Sequence, residues 1–93
     1  MYFVIVSQIA FSWDERKNTA NQRQHRVSSH EAQSVFVDEG ALLIGDPDHS
    51  ADEDRFILLG MSAALSTIFV CLCYRDEVEV IRITSARKAT RAE

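Results

Sequence analysis

The sequence predicts an α+β fold in which a strand and two helices precede four strands and the start of a last helix. Three observations predict this order. The N-terminal segment is rich in Val, Ile and aromatic residues, two polar segments carry helix-start signals, and the C-terminal half consists of apolar runs with short connections. The 93 residues, 46% of them apolar, suffice for one small core, so we expect a single domain over residues 1–93.

A strand and a polar helix begin the chain. Residues 1–11 favour a strand because β-branched and aromatic side chains dominate them. A helix follows over residues 14–25, with acids in its first turn and basic residues in its last, as the helix dipole favours. Lys17, Asn21 and His25 are spaced four apart and therefore share one face of this helix. On spacing alone, such a face is typical of a solvated surface.

The second helix has a clearer start. Ser28 and Glu31 fit a capping box, in which each side chain bonds to the backbone N–H of the other residue. Val27 and Ala32 hold the hydrophobic-staple positions, and the apolar face that continues from Ala32 must pack against a sheet. Two acids and a glycine at residues 38–40 predict the end of this helix.

Four strands are predicted at residues 41–46, 55–62, 67–75 and 77–84. The third of these is apolar on both faces up to residue 74, which predicts a central position in the sheet. Short connections favour an antiparallel meander. In the last strand Ile81 and Ile83 share one face and Arg82 lies on the other. A short C-terminal helix is expected to start at Ser85.

Charge is unevenly distributed along the chain. The net charge of −4 argues weakly against nucleic-acid binding, since domains with that function are usually basic. Residues 38–54 hold seven acids and no Lys or Arg, whereas residues 81–92 hold four cations and no acid. Because Arg matches the geometry of phosphate oxygens, the basic segment predicts a phosphate ligand. The acidic segment lacks the glycine and the final Glu of a calcium loop, so we expect no metal and no cofactor.

The cysteines and the apolar segments indicate the cellular compartment in which we expect the protein. Cys71 and Cys73 would share one face of a strand, and we expect reduced thiols in a cytoplasmic protein. No secretory signal is apparent at the N-terminus. Residues 56–74 carry no charge and are long enough to span a bilayer. The small and polar residues at 62–66 instead favour two buried strands joined by a turn, so we expect no membrane partner.

An ordered set of short motifs points to a known family. They are Trp13-Asp14-Glu15-Arg16-Lys17, Asn21, His25, Val27-Ser28, Asp48-His49-Ser50 with Glu53 and Arg55, Tyr74, and Ile81-Arg82-Ile83 followed by Ser85-Ala86-Arg87-Lys88-Ala89. This set resembles the BrnT toxin family. The resemblance implies a compact RelE-like fold and a ribonuclease toxin of a bacterial type II toxin–antitoxin system. It also implies arrest of translation and neutralisation by a ribbon-helix-helix antitoxin.

Several residues could cleave RNA without a metal, a reaction that needs proton transfer and cations at the developing charge. The candidate catalytic residues are Arg82 and Arg87 for charge stabilisation, His25 for acid–base chemistry, Lys17 for phosphate binding or proton transfer, and Tyr74 for base stacking or proton donation. The candidate RNA contacts are Arg55, Arg75, Lys88 and Arg91.

Four of these candidates also have an ordinary structural role open to them. Arg82 could pair with Glu79 or Glu53, His25 could bond the last carbonyls of its helix, Lys17 could be a surface lysine, and Tyr74 could be a core residue.

The expected partners are RNA, either free or on the ribosome, and the antitoxin, with DNA reached only through the antitoxin. A homodimer within that complex is a further expectation, because an apolar N-terminal strand with an unpaired edge favours association. An alternative function is a non-catalytic module that binds the antitoxin and acts as an operon co-repressor. Glu77, an acid beside the basic cluster, and the negative net charge favour this alternative.

Overall fold

A computed structural model describes residues 2–6, 9–45, 54–75 and 80–89, which form a sheet with helices on one face. The elements in chain order are β1 Tyr2–Val6, β2 Ile9–Trp13, α1 Glu15–His25, α2 Ser29–Ser34, a 3-10 helix Val35–Val37, β3 Leu42–Gly45, β4 Asp54–Met61, β5 Thr67–Arg75 and β6 Val80–Lys88. The predicted α+β class is confirmed, and both helices lie where the capping signals placed them.

The six strands are ordered β1-β2-β6-β5-β4-β3. Strands β3 to β6 form the predicted antiparallel meander, and the apolar β5 lies inside the sheet as expected. Strand β2 pairs with β6 in parallel, which places Ser12 opposite Arg82. This pairing joins the N-terminal strands to the C-terminal strand and brings the start of α1 beside β6.

The prediction of a single N-terminal strand over residues 1–11 is wrong, because this segment contributes two strands. The segment forms a hairpin, in which β1 pairs antiparallel with β2 and Val6 lies opposite Ile9. No Gly, Pro or Asn marks the connection, and both halves have the same β-rich composition. Composition alone therefore could not show where the strand folds back.

The helix predicted from Ser85 is also wrong over residues 85–88, because β6 continues as a strand to Lys88. Strand β5 runs beside this segment and supplies the partners, ending with Ile68 opposite Lys88. A bulge at Thr84 shifts the register, and the Thr84 hydroxyl donates to the Cys71 carbonyl at 3.1 Å. Strand pairing thus overrides the helix propensity of Ala, Arg and Lys. Residues 90–93 lie outside the described residues.

One face of the sheet carries the core. This helix face presents Phe11, Trp13, Leu58, Ile68, Val70, Leu72, Ile83 and Ala86 to buried residues of the helical segment, Val27, Ala32 and Val35. The Phe11 ring meets the Phe36 ring edge-on at 4.9 Å. Burial of one such aliphatic side chain contributes about 1.5–3 kcal/mol, which explains why the weakly amphipathic helices stay docked.

The opposite face of the sheet, here named the far face, carries Ser12, Arg55, Phe69, Cys71, Cys73, Arg82 and Arg87, as strand alternation and the register require. Cys71 and Cys73 share this face as predicted, and both are free thiols. The far face therefore holds Arg55, Arg82 and Arg87, whereas the helix face holds the core.

The predicted capping box is only half formed. The Ser28 hydroxyl accepts from the Glu31 N–H at 3.1 Å, but the Glu31 carboxylate accepts from the Ser62 hydroxyl at 2.6 Å instead of returning to Ser28. Ser62 begins the turn between β4 and β5, so Glu31 ties α2 to that turn. The two-strand interpretation of residues 56–74 is confirmed. Among the described residues, no helix has the length and apolar character needed to cross a membrane.

Candidate functional site

Helix α1 lies along an edge of β6 that no described strand occupies. Strand β2 ends where Trp13 pairs with Ile83, so its pairing does not extend to residues 84–88 of β6. Asn21 meets this edge: its Nδ2 donates to the Ala86 carbonyl at 2.7 Å, and its Oδ1 accepts from the Ala86 N–H at 3.1 Å. The same Nδ2 donates to the Val27 carbonyl at 2.8 Å. The Asn21 carboxamide thus replaces a peptide group of a neighbouring strand, and the solvated face expected from spacing is wrong at this residue.

Lys17 and His25 lie one helical turn before and after Asn21, on the same face of α1. Lys17 is exposed and lines a small cleft together with Trp13, Thr84 and Ser85. Because Asn21 fixes the helix against β6, Lys17 is held beside this edge, and His25 lies one turn beyond Asn21 on the same helix.

The end of α1 is closed by backbone, not by the imidazole of His25. Arg26 adopts the left-handed conformation, with φ of 60°, and its N–H donates to the Gln22 carbonyl at 2.9 Å. His25 itself is half-buried and makes no hydrogen bond within the described part of the chain. The helix-capping role open to His25 is therefore filled by Arg26.

The start of α1 is anchored by Asp14. Its Oδ1 accepts from the N–H of Arg16 at 2.9 Å and from that of Lys17 at 3.5 Å. These bonds, the first above all, together with the charge of Lys17, hold the pKa of Asp14 below its usual range. Helix α1 thus has a fixed N-terminus as well as a fixed centre.

Arg82 stands in the middle of a row across the far face. It lies between Ser12 on β2 and Cys73 on β5, which are 3% and 1% exposed, and Arg55 follows beyond Cys73. Arg82 is half-buried and has no hydrogen bond or ion pair among the described residues. A half-buried guanidinium of this kind is a strong site for an anion.

Arg87 shares the far face with Arg82. Its guanidinium lies 4.6 Å from the centre of the Phe69 ring, a cation–π contact with the residue opposite on β5. Within the described strands, the far face carries Arg55, Arg82 and Arg87 and no acidic side chain. The charged side chains on this part of the far face are therefore all basic, although the whole chain carries a net charge of −4.

Two predicted site residues lie elsewhere. Tyr74 is half-buried and pairs with Ile81 on the helix face, so strand alternation directs it away from Arg82. Lys88 is exposed at the end of β6, opposite Ile68 and also on the helix-face register.

Other predicted positions fall outside the described residues. They are the side chain of Arg75, all of Arg91, the proposed Arg82 partners Glu53 and Glu79, Glu77, and the metal-like cluster Asp46, Asp48, His49 and Asp52 together with the side chain of Asp54.

Sequence reasoning missed the structural role of Asn21 and the placement of Ser12 and Cys73 beside Arg82. All three depend on contacts between segments that are far apart in the chain. For Asn21 the sequence did offer one signal, its position midway between Lys17 and His25 on a single face of α1.

A comparison with protein-family models gives a match over most of the chain. The family model of the ribonuclease toxin, BrnT, of type II toxin-antitoxin system matches residues 13–93. The match includes α1, α2 and the three arginines of the far face. A search of curated proteins found no match.

Proposed function

Because this chain belongs to the BrnT family of type II toxin–antitoxin ribonuclease toxins, we propose that it is a metal-independent endoribonuclease whose site joins the far face to the α1 edge of β6. The observation that carries the proposal is Arg82, half-buried between two strands, with no ion-pair partner among the described residues. Its substrate is RNA, and its partner is the antitoxin.

Arg82 stabilises the charge that develops on the phosphate during cleavage. Its position between buried Ser12 and Cys73 supports this role, because packed neighbours limit its rotamers before RNA arrives. A donor of this kind typically contributes about 10²- to 10³-fold in rate. Arg55 and Arg87 flank Arg82 on the same face and bind neighbouring phosphates of the RNA strand.

Proton transfer belongs to the α1 edge. His25 acts as the acid–base group, since an imidazole can both donate and accept a proton and this one makes no hydrogen bond among the described residues. Lys17 binds a phosphate oxygen or assists proton transfer from its place beside the Thr84 bulge. A catalytic role for Tyr74 stays a prediction, and its place on the helix face favours base stacking or packing over contact with a phosphate held by Arg82.

Membership of the family supports a finer biological role, which is part of the same proposal. RNA cleavage in the cytoplasm arrests translation, and a ribbon-helix-helix antitoxin neutralises the toxin and carries it to DNA. A homodimer within that complex remains part of the proposal. The non-catalytic co-repressor is the alternative, because Glu77 adds an acid next to the basic strand in sequence.

The test is cleavage of total RNA by the purified chain in EDTA, with and without ribosomes. Arg23, an exposed residue of α1 outside the Lys17 face, provides a matched control. We expect the parent and Arg23→Ala to cleave equally and Arg82→Ala to lose about 100-fold or more. If neither the parent nor Arg23→Ala cleaves RNA under any of these conditions, the co-repressor alternative replaces the ribonuclease.

A further inference from the structure

We propose that the outer edge of β3 receives an extended segment of the antitoxin, which adds as a strand and carries basic residues flanking an apolar centre. The proposal rests on the toxin–antitoxin function given above and assigns a place and a chemistry to the partner. The observations that carry it are the exposure, the backbone direction and the charge of this edge.

Strand β3 is the last strand of the sheet and pairs only with β4 among the described residues. Its apolar side chains are unusually open to solvent: Leu42 is 61% exposed, Leu43 60% and Ile44 47%. An apolar edge strand with an exposed backbone favours strand addition, and proteins normally protect such edges with charges, prolines or a covering segment. Within β3 itself there is no charge and no proline.

The register shows which backbone groups face outward. The Met61 N–H donates to the Asp38 carboxylate at 2.8 Å on the side away from β5, so odd-numbered residues of β4 direct their backbone groups toward β3. Leu42 with Leu59 and Ile44 with Ile57 are therefore the hydrogen-bonded pairs of the β3–β4 ladder. The N–H and C=O of Leu43 consequently point away from β4 and can pair with an added strand.

Charge selects among the possible occupants of this edge. Asp38 and Glu39 precede β3, and Asp46 and Asp48 follow it in sequence. A second copy would bring its own acids, and RNA would bring its phosphates, to an edge that Asp38 and Glu39 already make acidic, so both are disfavoured. A peptide segment with Lys or Arg flanking apolar residues matches both the acids and the exposed side chains.

The edge is separated from the proposed catalytic arginines. Three strand spacings lie between β3 and β6, or about 14 Å, so β3 can be altered without touching Arg82. Antitoxin binding and RNA cleavage can therefore be measured independently on the same variants.

The decisive variant is Leu43→Pro, which removes the outward N–H but no donor of the β3–β4 ladder. Leu43→Ala is its matched control, because it also shortens the side chain but keeps the N–H. We expect Leu43→Pro to weaken binding of the antitoxin encoded beside this toxin at least about tenfold, with a smaller effect for Leu43→Ala. Glu39→Lys should weaken binding as well, and should reduce its salt dependence.

Calorimetric titration gives the affinities, and thermal unfolding with RNA cleavage reports on fold and function. Equal antitoxin affinity for the folded Leu43→Pro variant and the parent would overturn the proposal. Loss of self-association or of RNA binding, with antitoxin affinity unchanged, would assign the edge to a second copy or to RNA and overturn it too.

If Leu43→Pro does not fold, Glu39→Lys provides the test. Antitoxin binding by Glu39→Lys with unchanged affinity and salt dependence would then overturn the proposal. If the parent protein does not cleave RNA, the proposed ribonuclease activity is contradicted. The antitoxin affinities of the variants still test the role of β3 in that case.

Discussion

The Asn21 carboxamide forms a two-point hydrogen bond with the backbone of Ala86, donating to its carbonyl at 2.7 Å and accepting from its N–H at 3.1 Å. Sixty-five positions separate the two residues in the chain. A side chain of α1 thus completes the pairing of β6 where β2 has ended. This contact sets the position of Lys17 and His25 relative to β6.

Replacement of Asn21 by Asp should destabilise the fold by about 1–3 kcal/mol, because a carboxylate oxygen would face two carbonyl oxygens in place of a donor. Urea unfolding measures the effect. Gln22→Ala is the control, since Gln22 is exposed and its side chain bonds only to Asn18 among the described residues, and it should stay within about 0.5 kcal/mol of the parent. Equal stability of the Asn21 variant and the control would contradict the role given to the Asn21–Ala86 pair.

Gly60 permits the close approach of the 3-10 helix to β4. A Cβ at this residue would lie 2.8 Å from both Ala41 Cβ and Val35 Cγ1, and 2.9 Å from Asp38 Oδ2. We expect Gly60→Ala to lower the free energy of unfolding by about 1–3 kcal/mol through overpacking. Gly45→Ala serves as the control, because nothing lies within 4 Å of its Cβ position. Thermal unfolding that shows the same loss for both variants would refute this cause.

The hydrogen bonds of the Asp38 carboxylate should make the stability of the fold depend on pH in the acidic range. Its carboxylate accepts from the N–H of Met61 at 2.8 Å and from that of Gly40 at 3.0 Å, and these bonds, the first above all, hold its pKa below the ordinary 3.8. The folded protein therefore binds this proton more weakly than the unfolded chain. The stabilisation is complete above the ordinary pKa and is lost as pH falls through the lowered one.

The measurement is the melting temperature between about pH 6 and pH 2 for the parent and Asp38→Asn. The stability advantage of the parent should shrink as the pH falls below about 4, the range in which the carboxylate gains its proton. Glu39→Gln controls for the loss of one negative charge at this position, because Glu39 is exposed and has no hydrogen bond among the described residues. A constant gap between the parent and Asp38→Asn across this range would show that the charge of Asp38 does not stabilise the fold.

The rates of RNA cleavage should rank Arg82→Ala below His25→Ala. Fixed charge stabilisation typically contributes about as much as positioned proton transfer or more, and Arg82 lies between the buried residues Ser12 and Cys73. Arg82→Lys should recover part of the rate, because Lys keeps the charge but not the planar fork of donors. Single-turnover cleavage of a defined RNA gives the three rates, and a reversed order would make proton transfer at His25 the larger contribution.

Local chemistry explains the correct predictions. Acids at the start of α1, the Ser28 cap of α2 and the apolar runs of β4 and β5 act within one element, so they can be recognised without knowing the neighbours. The far-face position of Arg82 follows from alternation in the same way. Its isolation from Tyr74 also follows once the register is known, because adjacent residues of a strand point to opposite faces.

The sequence by itself determined the α+β class, both helix starts, the central β5 and the family that supplies the arginines of the proposed site. Only the tertiary structure decided the N-terminal hairpin, the extension of β6 to Lys88, the hydrogen bonds between Asn21 and Ala86, and the position of β3 at the edge of the sheet. The physical reason is that strand pairing depends on a partner from elsewhere in the chain. A segment such as residues 85–88 becomes a strand because β5 offers hydrogen bonds to it, whatever its own propensity favours.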